Sequence, residues 1–140
     1  MAEESFLDLG NLEDVPELTT VVDGEYELQL TSLEVGESGQ QSKHPGDKYL
    51  MAKVDVVGKP TSKSIVHVMM LPTERDGEKQ KLSRLRAIKN FYKAFKIPTS
   101  GPIEFNSYIG NTGWALLREE ESDDPQYGMQ NRVRRFSVGA

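Results

Sequence analysis

From Gly24 to Val35, "GEYELQLTSLEV", apolar and polar positions alternate. Tyr26, Leu28 and Leu30 share one parity, with Glu27 and Gln29 on the other, which predicts a half-buried strand. The parity then slips, because Leu33 and Val35 fall on the opposite set. A one-residue slip within one strand predicts a bulge, and a bulge bends the strand. A strongly bent first strand suits the closure of a small barrel. The next alternating run is "KYLMAKVDVVG". It sets Leu50, Ala52, Val54 and Val56 against Tyr49, Met51, Lys53 and Asp55. "SIVHVMML", Ser64 to Leu71, predicts a third strand whose two faces are both apolar, so the pattern leaves its inner face open.

After Pro72 the period changes. Leu82, Leu85, Ile88, Tyr92 and Phe95 recur at helical spacing, with Lys79, Arg86, Lys89 and Lys93 along one flank. Pro98 stops this helix. "IEFNSYIGNTGWALLREEE" predicts a fourth strand centred on Trp114 to Arg118, and "NRVRRFSV", Asn131 to Val138, predicts a fifth. Residues 1–20 show neither period and read as a mobile acidic arm with at most one helical turn. Residues 21–140 then form one domain, all-β with one helix. The order β1-β2-β3-α-β4-β5 is the one expected for an OB fold, a five-stranded Greek-key barrel.

Charge sharpens this picture. The net charge is −5 over 140 residues, but the first 42 residues carry eleven acids and no Lys or Arg. All 17 basic residues come later, against eleven acids, so residues 43–140 sum to +6. Five of those later acids sit in "EEESDD", Glu119 to Asp124. An acidic chain with so uneven a distribution is still suited to nucleic acid. There is no Cys, hence no disulfide frame and no thiolate metal site. The start "MAEESFLDLG" lacks the basic and apolar regions of a signal peptide, and no apolar run reaches membrane-spanning length. A cytoplasmic setting, bacterial or viral, is expected.

Five stretches carry a resemblance: "DGEYELQLTSLEV", "SKHPGDKYLMAKVDVVG", "LRAIKNFYKAFKIP", "YIGNTGWALL" and "NRVRRFSV". Together, from Val21 to Val138, they resemble the small OB-fold single-stranded-DNA-binding proteins encoded by bacteriophages. The motifs are loose patterns. Bacterial housekeeping relatives of that family end in an acidic tail with a hydrophobic tip, whereas this sequence ends "RRFSVGA" and carries its acidic segment first. The resemblance implies a protein that coats single-stranded DNA during replication or recombination, in the host cytoplasm if viral. The acidic arm would recruit a replication or recombination protein, or compete with DNA for the basic groove, or merely keep the chain soluble. A homo-oligomer is compatible with all three.

Binding single strands without sequence preference needs cations for phosphates and aromatic faces for unstacked bases. An OB fold offers them on strands two and three and on the loops joining strands one to two and four to five. In this chain those places hold Lys43, His44, Lys48, Tyr49, Lys53 and His67, and the fifth strand adds Arg132, Arg134 and Arg135. Each has a plainer reading. Lys43, His44 and Lys48 could only solubilise a loop, and Tyr49 with Lys53 could be an ordinary solvated face. The arginines could pair with "EEESDD". In a regular strand Arg132 and Arg134 share a face and Arg135 opposes them. Trp114 amid "WALL" reads more readily as core than as a stacking platform, as do Tyr26 and Phe136. The basic helix flank reads as a solvated face. Two histidines far apart in sequence make no metal site, no cofactor is expected, and "GNTGWA" lacks the Gly-Lys-Ser/Thr ending of a phosphate loop. An enzyme is the weakest class, and a protein-binding OB or β-sandwich module is the competing one.

Overall fold

The parity slip in the first strand is where the sheet bends. The structure, a computed structural model, describes residues 5–137, apart from the side chain of Tyr127. Glu3 and Glu4 of the arm, and Val138 at the end of the last strand, lie outside the described residues. Strand β1, Gly24–Glu37, pairs with β2, Lys48–Val56, and their register shifts between Leu30 and Ser32. Thr31 is the extra residue, and its hydroxyl donates to the Lys53 carbonyl at 3.0 Å. The bulge lets Leu28, Leu30 and Leu33 all face inward, so a strand of broken parity keeps one apolar side. Val35, near the end of β1, is exposed.

Strand β3, Ile65–Met70, adds to the far side of β2. Helix α1 spans Glu78–Ala94, and strands β4, Thr112–Glu121, and β5, Met129–Ser137, follow. Every neighbouring pair is antiparallel, and the order across the sheet is β3-β2-β1-β4-β5. The two edge strands come back together. His67 of β3 meets Phe136 of β5 edge to face, with ring centroids 5.1 Å apart. The chain is thus mostly β, a curled, barrel-like antiparallel sheet with one helix.

The helix closes one end of the curl. Phe91 and Phe95 are fully buried and meet Phe136 at 5.5 and 5.8 Å. Burying each of these rings stabilises the fold by roughly 1.5–3 kcal/mol. A Cβ on Gly113 would collide with the Ala94 carbonyl, so a glycine there lets β4 touch the helix backbone. The helix begins beside the end of β3, where Arg84 donates to Asp76 at 2.9 Å and to the Leu71 carbonyl at 3.1 Å. It ends with Lys96 at φ 60° and the Ile97 N–H on the Tyr92 carbonyl at 2.8 Å, just ahead of Pro98.

The predicted inner set of β2, Leu50, Ala52, Val54 and Val56, is buried as a block. The helix differs from its predicted stripe. Ile88, Phe91 and Phe95 pack inward, whereas Leu82 and Leu85 are 47 % and 51 % exposed. The inward line runs through Arg84, Ile88, Phe91 and Phe95, with Arg84 on the Leu71 carbonyl, so Leu82 and Leu85 fall to its side.

The opposite end of the curl holds the root of the arm. The Asn131 side chain pairs with Val21 like a strand residue. Its Oδ1 accepts from the Val21 N–H and its Nδ2 donates to the Val21 carbonyl, each at 2.9 Å. Thr19 bridges to Ser62 in the β2–β3 turn, and Thr20 donates to Glu119 at 2.6 Å. Among the described residues before that root, the one helical element is a short 3-10 turn, Leu12–Asp14.

Candidate nucleic-acid interface

Once its inner parity is occupied by Leu50, Ala52, Val54 and Val56, β2 must present Tyr49, Met51 and Lys53 outward. The β2–β3 register sets Tyr49 opposite Met70, Met51 opposite Val68 and Lys53 opposite Val66. On the other side the same residues face Gly36, Glu34 and Ser32 of β1. The outer face is therefore an aromatic and apolar strip, Tyr49, Met51, Val66, Val68 and Met70, with Lys53 at one end.

Tyr49 is held in place by what is missing beside it. A Cβ on Gly36 would lie 2.6 Å from two atoms of the Tyr49 ring. The ring thus rests across the bare backbone of β1, half-buried, and keeps a surface toward solvent. A ring restrained in this way is suited to stacking, because little rotamer freedom is lost when a base lands on it.

His67 is not part of this face. Its β3 position, opposite Ala52, turns it inward against Phe136. Burial, and then the nearby Arg132 charge, push its imidazole below its ordinary pKa, so it sits there as a neutral ring. His67 thus packs against Phe136, on the other side of the sheet from Tyr49 and Lys53.

The loop between β1 and β2 is ordered by its own backbone. Ser38 and Asp47 close it at 2.7 Å, and Gly46 donates to the Ser38 carbonyl at 3.0 Å. Asp47 pairs with Arg75, which ties the loop to the segment between β3 and α1. Lys43 and His44 stand exposed on this loop, and Lys48 follows at the first position of β2.

Strand β5 corrects the expected parity of its arginines. The β4–β5 register shifts between Leu116 and Leu117, which pair with Arg135 and Val133, so Arg134 is an inserted residue. Asn131, Val133 and Phe136 turn inward, and Arg132, Arg134 and Arg135 are all exposed. Arg132 is engaged by Glu120, which also accepts from Arg118 at 3.1 Å. The plainer reading of that arginine, pairing with the acidic stretch, holds for this one residue. Arg134 and Arg135 have no ion-pair partner among the described residues. His67 and Phe136 join the sheet edges, and their chain neighbours Val66, Val68 and Arg135 are all exposed.

Trp114 is the residue whose position the sequence misjudged. It is 48 % exposed on the outer face of β4, opposite Glu27 of β1 and Ser137 of β5. Gly113 and Ala115 are its buried neighbours. Tyr26 and Phe136, by contrast, pack against the core as expected. The outward Val66, Val68 and Met70 were also missed, since a strand apolar on both faces carries no parity signal.

No group of three or more His, Cys, Asp or Glu suited to a metal ion occurs among the described residues. No helix among them is long and apolar enough to cross a membrane. No protein-family model matches the chain, and no curated protein matches it significantly.

Proposed function

We propose that this chain is a single-stranded-DNA-binding protein of the OB type, acting stoichiometrically in DNA replication or recombination, as its resemblance to bacteriophage proteins suggests. The observation that carries the reading is the outer face of β2 and β3. Tyr49 is braced over Gly36, Lys53 shares its face, and Arg134 and Arg135 are exposed on β5, whose Phe136 meets His67 of β3. Bases would stack on Tyr49 and the neighbouring apolar side chains, and phosphates would follow the cations. The topology supports the OB assignment. The central β1 pairs on both sides, the edge strands β3 and β5 run in the same direction, and the helix lies between β3 and β4.

A salt series with fluorescent oligo-dT and a matched duplex tests the reading. Oligo-dT should bind at about 50 mM salt, more tightly than the duplex, with affinity falling steeply as salt rises. No binding, or preference for the duplex, would overturn it. One observation favours a second reading, a protein-binding module: Met51, Val66, Val68 and Met70 form a contiguous apolar strip. Binding to oligo-dT that is indifferent to Tyr49→Ala with Lys53→Ala would favour that alternative.

A further inference from the structure

Two surfaces that the proposed interface does not use are complementary to each other. The first is on α1. Leu82, Leu85, Ile88 and Tyr92, with Arg86 and Lys89, line an open groove of about 530 Å³ that reaches Thr99. Exposed Lys79 and Lys93 extend its basic border. Among the described residues none of these four cations has an ion-pair partner. The helix carries six basic residues and one acid, Glu78.

The second is the arm. Residues 5–18 carry Asp8, Glu13, Asp14 and Glu17 and no base. Between those acids, Phe6, Leu7, Leu9, Leu12, Val15 and Leu18 are all exposed, Phe6 at 87 %. A segment so apolar and so acidic has a surface to cover and a charge to satisfy. The basic-rimmed groove offers both.

The positions of the two surfaces decide which copy supplies the arm. The arm is rooted by Asn131, Ser62 and Glu119, at the end of the sheet where β4 finishes and β5 starts. The helix packs at the other end, through Gly113 at the start of β4 and Phe136 at the end of β5. The root of the arm and the helix groove thus lie at opposite ends of the domain, an arrangement that suits an arm supplied by a second copy. We infer that the acidic arm of one copy docks, through Phe6 and Leu9, in the helix groove of a second copy. Such contacts are head-to-tail, so a bound pair leaves one free arm and one free groove, and the assembly grows as a chain. It requires no nucleic acid.

Full-length variants test this by sedimentation velocity without DNA. The groove variant is Leu82→Glu with Leu85→Glu, and the arm variant is Phe6→Ser with Leu9→Ser. All four side chains are exposed, so folding is retained, and circular dichroism verifies it. The unaltered chain should grow in mass with concentration, and this growth should weaken at least tenfold between about 50 and 500 mM salt. Each variant alone should stay monomeric. An equimolar mixture should form a heterodimer and stop there, because only one intact arm and one intact groove remain. A monomeric unaltered chain, oligomers that survive the groove substitutions, or a mixture that stays monomeric would each overturn the inference. A monomer whose arm becomes protease-sensitive in the groove variant would show docking within one copy and would also overturn it. The oligo-dT titration reads a different face, so either result can fail without the other.

Discussion

The ring of Tyr49 occupies the space that a side chain at Gly36 would need, with a Cβ there only 2.6 Å from the ring. Gly36→Ala should therefore push the ring off the sheet. The ring's free end can swing outward, so stability should fall by less than about 1 kcal/mol. Affinity for oligo-dT should fall toward that of Tyr49→Ala. Loss of one stacking platform is worth about 1–3 kcal/mol, roughly 5- to 150-fold. Fluorescence titration beside a urea melt separates the two effects.

Arg134 and Arg135 should act on DNA where Arg132 does not, because Glu120 already engages Arg132. Replacing the first two by Ala should lower the slope of log affinity against log salt by about 1.4, the value for two phosphates on a single strand. Arg132→Ala should change that slope by less than half as much. Titrations at four salt concentrations measure it.

How much of this was legible in the sequence depended on what broke the symmetry of each element. The bulge of β1 was visible because Leu30 and Leu33 sit on opposite parities. The inner face of β2 was visible because Lys53 and Asp55 mark its outer one. In β3 nothing marked a side, and the pairing of His67 with Ala52 decided it. The apolar stripe of α1 was real, but its inward line in the first half is taken by Arg84 on the Leu71 carbonyl, which a local period cannot report. Trp114 was hidden in a contiguous apolar run, and its parity was set by the contact between Gly113 and the helix. The insertion at Arg134 left no local signal at all, so the common exposure of three arginines emerged only from the register.

The close approach at Gly113 gives a sharper test of the fold than any core leucine. A methyl group there meets the backbone of Ala94, whose carbonyl carbon would be 2.9 Å away, and backbone cannot rotate aside. Gly113→Ala should cost about 1–3 kcal/mol or more, by forcing α1 off the end of the sheet. Urea unfolding should show a lower midpoint with an unchanged slope.

His67 links stability to pH. Its folded-state pKa is held below its unfolded value of about 6.5, first by burial and then by the Arg132 charge. The unfolded chain therefore takes up a proton that the folded chain resists. The contribution is present above about pH 6.5 and is lost as pH falls through the lowered folded value. The melting temperature should drop between about pH 7.5 and 5.5, and His67→Phe should flatten that drop. Thermal melts across this window check it.

The edges β3 and β5 are joined by rings, His67 on Phe136 with Phe91 and Phe95 behind, and not as neighbours in the ladder. Rings in contact can slide by a fraction of their width, whereas a hydrogen-bonded ladder yields only by breaking. If the chain binds single strands as proposed, this seam would serve as an expansion joint between the strands that carry Val66 and Arg135. A strand of mixed purines and pyrimidines presents bases of unequal size. A groove with one compliant wall can accept each in turn without a separate pocket for any.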